Sequence, residues 1–193
     1  MKLVGRVLVV MAVSLFVFSG CAALREVAAL RRVDFSIDRL SDPALAGVSL
    51  KNVKSYKDIG LLDAGRLALA LADRDLPLTF VLHVKAVNPA DNPVAARLMG
   101  MDWVLFVKDK ETLRGTLDQS VSLLPGEAQD VPLVIGFNLL EFFDDGIKEM
   151  VNLASSLEKK EEVGKRIRLQ VTPTIDTSLG PIRYPQPITV ISR

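Results

Sequence analysis

The stretch Leu78–Gly115, LTFVLHVKAVNPADNPVAARLMGMDWVLFVKDKETLRG, constrains this chain more than any other. Leu78, Phe80, Leu82, Val84 and Ala86 alternate with Thr79, Val81, His83, Lys85 and Val87. Met101, Trp103, Leu105 and Val107 alternate with Asp102, Val104, Phe106 and Lys108. Side chains on a strand point to opposite faces in turn, so a period of two marks a half-buried strand, not a helix. Pro89 has no N–H for a ladder, so Asn88-Pro89 ends the first strand and Ala90 to Pro93 returns the chain. The two strands read as a pair. Gly100 marks a bulge, and Asp109 to Glu111 turns the chain into a short third segment that ends at Gly115.

The same period recurs on either side. Val33, Phe35 and Ile37 alternate with Asp34, Ser36 and Asp38 until Ser41-Asp42-Pro43 breaks the run. Val48 to Tyr56 alternates again, and Val121 to Leu124 is brief. Val131, Leu133, Ile135 and Phe137 define a strand in which Pro132 must face outward or lie at an edge. Ile167 to Val171 and Ile182 to Ile191 supply the last strands, the final one interrupted by Pro185 and Pro187. Seven or so short strands separated by turns imply a mainly β fold, an antiparallel sandwich. Two segments differ. Ile59–Asp75 is rich in Ala and Leu, which suit a helix over Leu61–Ala72 although Leu67, Leu69 and Leu71 alternate. Asn138 followed by Glu141 reads as a helix start. Leu139, Phe142, Ile147, Met150, Val151 and Ala154 continue at helical spacing to Leu157, with Gly146 able to divide the helix.

The amino terminus has its own logic. Lys2 and Arg6 precede the apolar run Val7–Phe18, which suits a secretory leader and is short for a membrane-spanning helix of about 20 residues. Phe18-Ser19-Gly20-Cys21 follows at once and resembles a bacterial lipobox. The resemblance implies cleavage between Gly20 and Cys21, diacylglycerol on the Cys21 sulfur and acylation of the new amino terminus. Two or more acyl chains give durable membrane attachment. Residues 1–20 are then a signal peptide, 21–32 a lipidated tether and 33–193 the folded domain. Ala22, in place of Asp, implies the periplasmic face of the outer membrane. Arg25, Arg31 and Arg32 either touch lipid phosphates or are solvated tether charges.

Apolar residues make up 49% of the chain, enough for a folded core. Without residues 1–20 the chain has 22 basic and 23 acidic residues, which is not the bias of a nucleic-acid binder. Cys21 is the only cysteine, so no intrachain disulfide forms. No HExxH, CxxC, phosphate-cradling glycine loop or GxSxG elbow occurs. His83, the only histidine, reads as structural or solvent-facing, and Glu141, Asp144, Asp145 and Glu149 as acids favouring a helix N-terminus. The expectation is a protein without catalytic residues, metal or cofactor. Val81, Val87, Val104 and Phe106 fall on the outer sides of their strands. They are expected to form one apolar strip, either covered by the helix at 139–157 or open to a lipid or protein partner.

A strand ending in Asn88-Pro89, a loop, an alternating strand, a turn and then Gly115 resembles the late embryogenesis abundant type 2 family, whose module is the WHy (water stress and hypersensitive response) domain. The continuation through Pro125-Gly126 and VPLVIGF is similar as well, and the resemblance spans roughly Val33 to Val190. Ala90 stands where the family has a second asparagine. The resemblance implies an immunoglobulin- or fibronectin III-like antiparallel β-sandwich with one or two helices, and an association with desiccation and osmotic stress. It transfers no catalytic residue; only Asn88, Pro89 and Gly115 map onto its motif.

Overall fold

The computed structural model describes residues 28, 32–107, 109–142, 147–156, 167–177 and 180–192. Gly20, Cys21, Asp144, Asp145 and Gly146 therefore lie outside the described residues. The elements, in order, are β1 (Asp34–Leu45), β2 (Val48–Ser49), a 3-10 turn (Tyr56–Asp58), α1 (Leu61–Ala72), β3 (Pro77–Val87), β4 (Ala96–Val107), β5 (Lys110–Leu117), β6 (Val121–Leu123) and β7 (Ala128–Asn138). A second 3-10 turn (Leu139–Glu141), α2 (Ile147–Ser156), β8 (Ile167–Thr177), β9 (Gly180–Arg183) and β10 (Ile188–Ser192) follow. No helix among the described residues is long and apolar enough to cross a membrane.

The fold is mainly β, a sandwich of two sheets with two helices. One sheet holds β7, β3 and β1 side by side, with β2 on β1. The other holds β8, β4 and β5, with β6 on β4 and β9 on β8. β10 joins them: it runs antiparallel to β8 and parallel to β1. That parallel pair, Ser36↔Ile191 and Ile37↔Ser192, is an exception within the otherwise antiparallel sandwich. The first and last strands are not joined by a turn, so no local geometry forces them antiparallel.

β3 and β4 do not pair with each other. β3 lies between β1 and β7, β4 between β5 and β8. The Asn88-Pro89 loop therefore arches from one sheet to the other. Each strand has one apolar face, and an arch lets those faces meet: Leu78, Phe80, Leu82, Val84 and Ala86 are buried, as are Met101, Trp103, Leu105 and Val107. Among the described residues, every core residue lies between Val33 and Val190.

Two breaks read from the sequence fall differently. β1 continues past Ser41-Asp42-Pro43 through a bulge, with Ser41 opposite Val81 and Ala44 opposite Thr79. Asp42 takes a φ of 53°, and a bulge leaves a residue out of the ladder, so Pro43 costs no hydrogen bond there. The alternation at Val48–Tyr56 yields only two residues of strand before the chain turns. Gly100 does sit at a register shift of β4, and a side chain there would overlap the Leu117 carbonyl. β7 is an edge strand with Pro132 exposed, so its missing N–H is harmless.

The Ala/Leu-rich segment is the helix α1. Alternation of Ala and Leu is neutral between helix and strand, because both are strong helix formers. Only Leu67 is fully buried. Arg74, at φ 55°, stops the helix ahead of β3. Asn138 begins only a 3-10 turn, its side chain accepting from the Leu140 N–H, and α2 starts at Ile147. Asn138 does more than cap. Its Oδ1 also accepts from the Leu76 N–H at 3.1 Å, and its Nδ2 donates to the Arg74 carbonyl at 2.9 Å. One side chain thus ties the exit of α1 to the exit of β7. Asn138→Ala removes all three bonds and is expected to lower stability by about 1–3 kcal/mol, read as a fall in the urea midpoint with m unchanged.

Candidate functional site

Three places concentrate polar or apolar groups beyond the needs of the core. The first is the arch. Asn88 is fully buried. Its Nδ2 donates to the Leu123 carbonyl at 2.9 Å and the Val94 carbonyl at 3.3 Å, and its Oδ1 accepts from Asn92 Nδ2 at 2.6 Å. Its backbone N–H bonds the Glu127 carbonyl, and its own carbonyl takes the Gly126 N–H. One residue so holds the end of β3, the entry to β4, the end of β6 and the turn before β7. Pro89 accepts from the Asn92 N–H at 3.0 Å, closing the first turn of the arch. Gly126, at φ 84°, brings its turn against Ala90. Gly115 pairs with Trp103, and a methyl at 115 would overlap the Trp103 ring, so glycine there makes room for the indole. Asn88, Pro89 and Gly115 are positions where backbone and ring demand these residues, and their role is structural.

The second place is the outer face of the β7–β3–β1 sheet. Ser41 Oγ lies 3.0 Å from His83 Nε2, and His83 Nδ1 lies 2.7 Å from Asp130 Oδ2. Arg39 joins Asp130 at 3.1 Å and Asp38 at 2.8 Å. The hydrogen-bonded Asp38 carboxylate, with Asp130, raises the Arg39 guanidinium above its ordinary value, against a lowering by desolvation. Serine, histidine and aspartate here have the connectivity of a nucleophile relay. The proton direction differs. Ser41 Oγ donates to Asp42 Oδ2 at 2.9 Å, so its hydrogen is aimed away from His83. The network is a set of surface ion pairs pinning three strands across the bulge. His83 on the polar side of β3 was visible in the sequence; Ser41, Asp130 and Arg39 are 42 to 47 residues distant and carry no spacing signal.

The third place was expected to be one apolar strip, and it does not form. Val81 lies on the outer face of the first sheet, between Ser41 and Val134. Val104 and Phe106 lie on the outer face of the second. The arch separates them by a whole sandwich. Arg168 lies over Phe106, its Cζ 3.9 Å from the ring centroid. Val104 helps line a groove of about 340 Å³ with Asp102, Arg114, Gln170 and Arg183. Arg183 is paired there with Asp102 and Arg114 with Glu111, so both of the groove's cations are already neutralised. α2 instead buries Met150, Val151 and Ala154 and packs against β1 and α1. Among the described residues no group of three or more His, Cys, Asp or Glu could hold a metal ion. What the sequence did not reveal is that α1 leaves Leu61, Leu62 and Leu69 in solvent.

No protein-family model matches this chain, and no curated protein matches it. Solved structures similar to it include a solution structure assigned provisionally to the late embryogenesis abundant (LEA) group, with a TM-score of 0.35 and 14% identity over 99% of this chain and 89% of that one. A protein from Bordetella pertussis provisionally named ApaA has a TM-score of 0.35 and 11% identity over 82% of this chain and 94% of its own. A protein from Archaeoglobus fulgidus has a TM-score of 0.30 and 14% identity over 61% and 86%. At these scores the likenesses set neither family nor function.

Two outcomes follow from the geometry. Asn88→Asp keeps the shape but replaces the Nδ2 donor, leaving the Leu123 and Val94 carbonyls facing a carboxylate in a buried site. It is expected to cost about 3 kcal/mol or more, seen as a fall in the thermal midpoint larger than that of Asn92→Ala. At the surface network, Ser41→Ala and His83→Ala are expected to leave hydrolysis of p-nitrophenyl acetate at the background rate of the unaltered protein. Each is expected to shift stability by about 1 kcal/mol or less.

Proposed function

We propose that this chain is a lipid-anchored protein of the bacterial envelope, held at the membrane through Cys21, whose folded sandwich acts by binding surfaces and not by catalysis. The observation that carries this reading is Phe18-Ser19-Gly20-Cys21 at the end of the apolar run Val7–Phe18. The described core, which begins at Val33, is consistent with residues 22–31 serving as a tether. The Asn88-Pro89 arch and Gly115 support a domain of late embryogenesis abundant type 2 character. Under this reading it protects the envelope during drying and osmotic stress. Such protection works through a rigid surface, since the domain is too apolar to act as a disordered shield. A second reading is an accessory module that binds a lipid or protein in an envelope assembly. It draws on the leucines that α1 exposes.

The test compares a deletion strain complemented with the unaltered chain or with Cys21→Ala. The variant is expected to leave the membrane fraction or to retain its leader, and to lose palmitate label. The deletion strain is expected to survive drying and osmotic shock less well, with rescue by the unaltered chain alone. A cleaved Cys21→Ala protein that still fractionates with membranes would refute the anchor. Unchanged survival together with one stoichiometric protein partner would replace protection by the accessory role.

A further inference from the structure

α1 is apolar on both sides. Its inner side carries buried Leu67, with Ala64, Ala70 and Leu71 half-buried. Leu61, Leu62, Gly65, Ala68, Leu69 and Ala72 are all exposed. At 3.6 residues per turn these six positions fall within about one third of the circumference, opposite Leu67. Leu61 is 90% exposed, Leu62 84% and Leu69 68%. No charged residue falls in that sector. Arg66 stands at its border and is paired with Asp63 at 3.2 Å. A helix that is apolar all round belongs inside protein or in lipid. Among the described residues, this one has protein on one side only.

The segment that leads into the helix says what lies on the other. Lys51, Lys54 and Lys57 are all exposed, and none forms an ion pair among the described residues. Lys57 is four residues before Leu61, which keeps their Cα atoms within about 14 Å. The nearest acid in the segment, Asp58, is occupied by the Lys54 and Ser55 N–H groups. Three exposed lysines on the segment that enters α1, with Lys57 nearest its exposed leucines, match an anionic bilayer surface, phosphate headgroups outside and acyl chains beneath. A second copy of the chain fits less well. Three leucines with alanine and glycine between them make a patch of a few hundred Å². A stable dimer buries about 800 Å² per partner, and the lysines would face each other across it.

We infer that α1 is a second membrane contact: its outward leucines insert at the headgroup boundary of an anionic leaflet, with Lys51, Lys54 and Lys57 on lipid phosphates. The inference deepens the proposed function, and only its orientation rests on the anchor. Arg32 pairs with Asp91, so the tether enters at the arch. β1 runs twelve residues, about 40 Å, from there to the end where β2 and α1 stand. Residues 21–31 reach at most about 36 Å. A domain standing upright on its tether would hold α1 away from the lipid. A domain lying along the bilayer touches it at both ends, and each contact raises the effective concentration of the other.

The experiment uses residues 32–193, which contain every described core residue and no acylation site. Co-sedimentation is measured with vesicles of phosphatidylethanolamine and phosphatidylglycerol and with neutral phosphatidylcholine vesicles. Binding to the anionic vesicles is expected, weakening with salt and much lower on neutral ones. Leu61→Ser with Leu62→Ser, and Leu69→Ser separately, alter exposed positions and are expected to keep the thermal midpoint. Each leucine replaced is expected to weaken vesicle binding roughly tenfold. Lys51, Lys54 and Lys57 changed together to Gln are expected to abolish the preference for anionic lipid. Absence of binding, or binding indifferent to the leucine changes, overturns the inference. So does sedimentation of residues 32–193 as a dimer that Leu61→Ser and Leu62→Ser make monomeric, because α1 then faces a second copy. A failed anchor test with Cys21→Ala leaves these vesicle results untouched, so the two ideas fail separately.

Discussion

Asn88 is the side chain on which the architecture turns. The chain must leave one sheet and enter the other at this point, and an arch exposes backbone groups that a hairpin would pair. Asn88 answers by satisfying the Leu123 and Val94 carbonyls and by accepting from Asn92, while its backbone holds the turn before β7. A buried amide with its bonds made is nearly neutral; the same amide with bonds missing is costly. The cost of any other path is what specifies this one. With the arch in place, the apolar face of β3 meets the apolar face of β4 across the core instead of lying beside it.

The two outer faces then become different surfaces. On the β7–β3–β1 sheet, charge and hydrogen bonding dominate: Arg39, His83 and Asp130 link the three strands where β1 bulges. On the other sheet, Phe106 is closed by Arg168 and the groove beside Val104 holds an ion pair. The apolar surface is displaced to the helical end, where α1 spends Leu67 on the core and keeps Leu61, Leu62 and Leu69 outside. Asn138 fixes that end, since it binds the α1 exit and the β7 exit at once.

Much of the strand content was legible because alternation records burial directly. The inward sets of β3, β4 and β7 are the ones their period of two picks out, and Pro132, Gly100 and Pro185-Gln186-Pro187 mark the irregularities they imply. The bulge at Asp42-Pro43 was misleading. Proline ends a strand when its N–H is needed, and here the bulge leaves it out of the ladder. At Val48–Tyr56 the alternation was present but no partner strand was, apart from the end of β1. The partners of His83 were not legible at all, since contact among residues 42 and 47 positions apart depends on register.

By itself, the sequence determined which residues of the alternating strands are buried, because alternation is local; Asn88 and Gly115 stood out through a motif resemblance, since the Leu123 carbonyl and the Trp103 ring that demand them lie on other strands. It also carries the lipobox-like run to Cys21. Only the tertiary structure decided who neighbours whom: that β3 and β4 face instead of pair, that β10 joins β1 in parallel, and that Val81 and Phe106 lie on opposite sides. It also decided that three leucines of α1 face solvent. A leucine's preference for burial says nothing of what buries it; that depends on which surfaces the rest of the chain has left to offer.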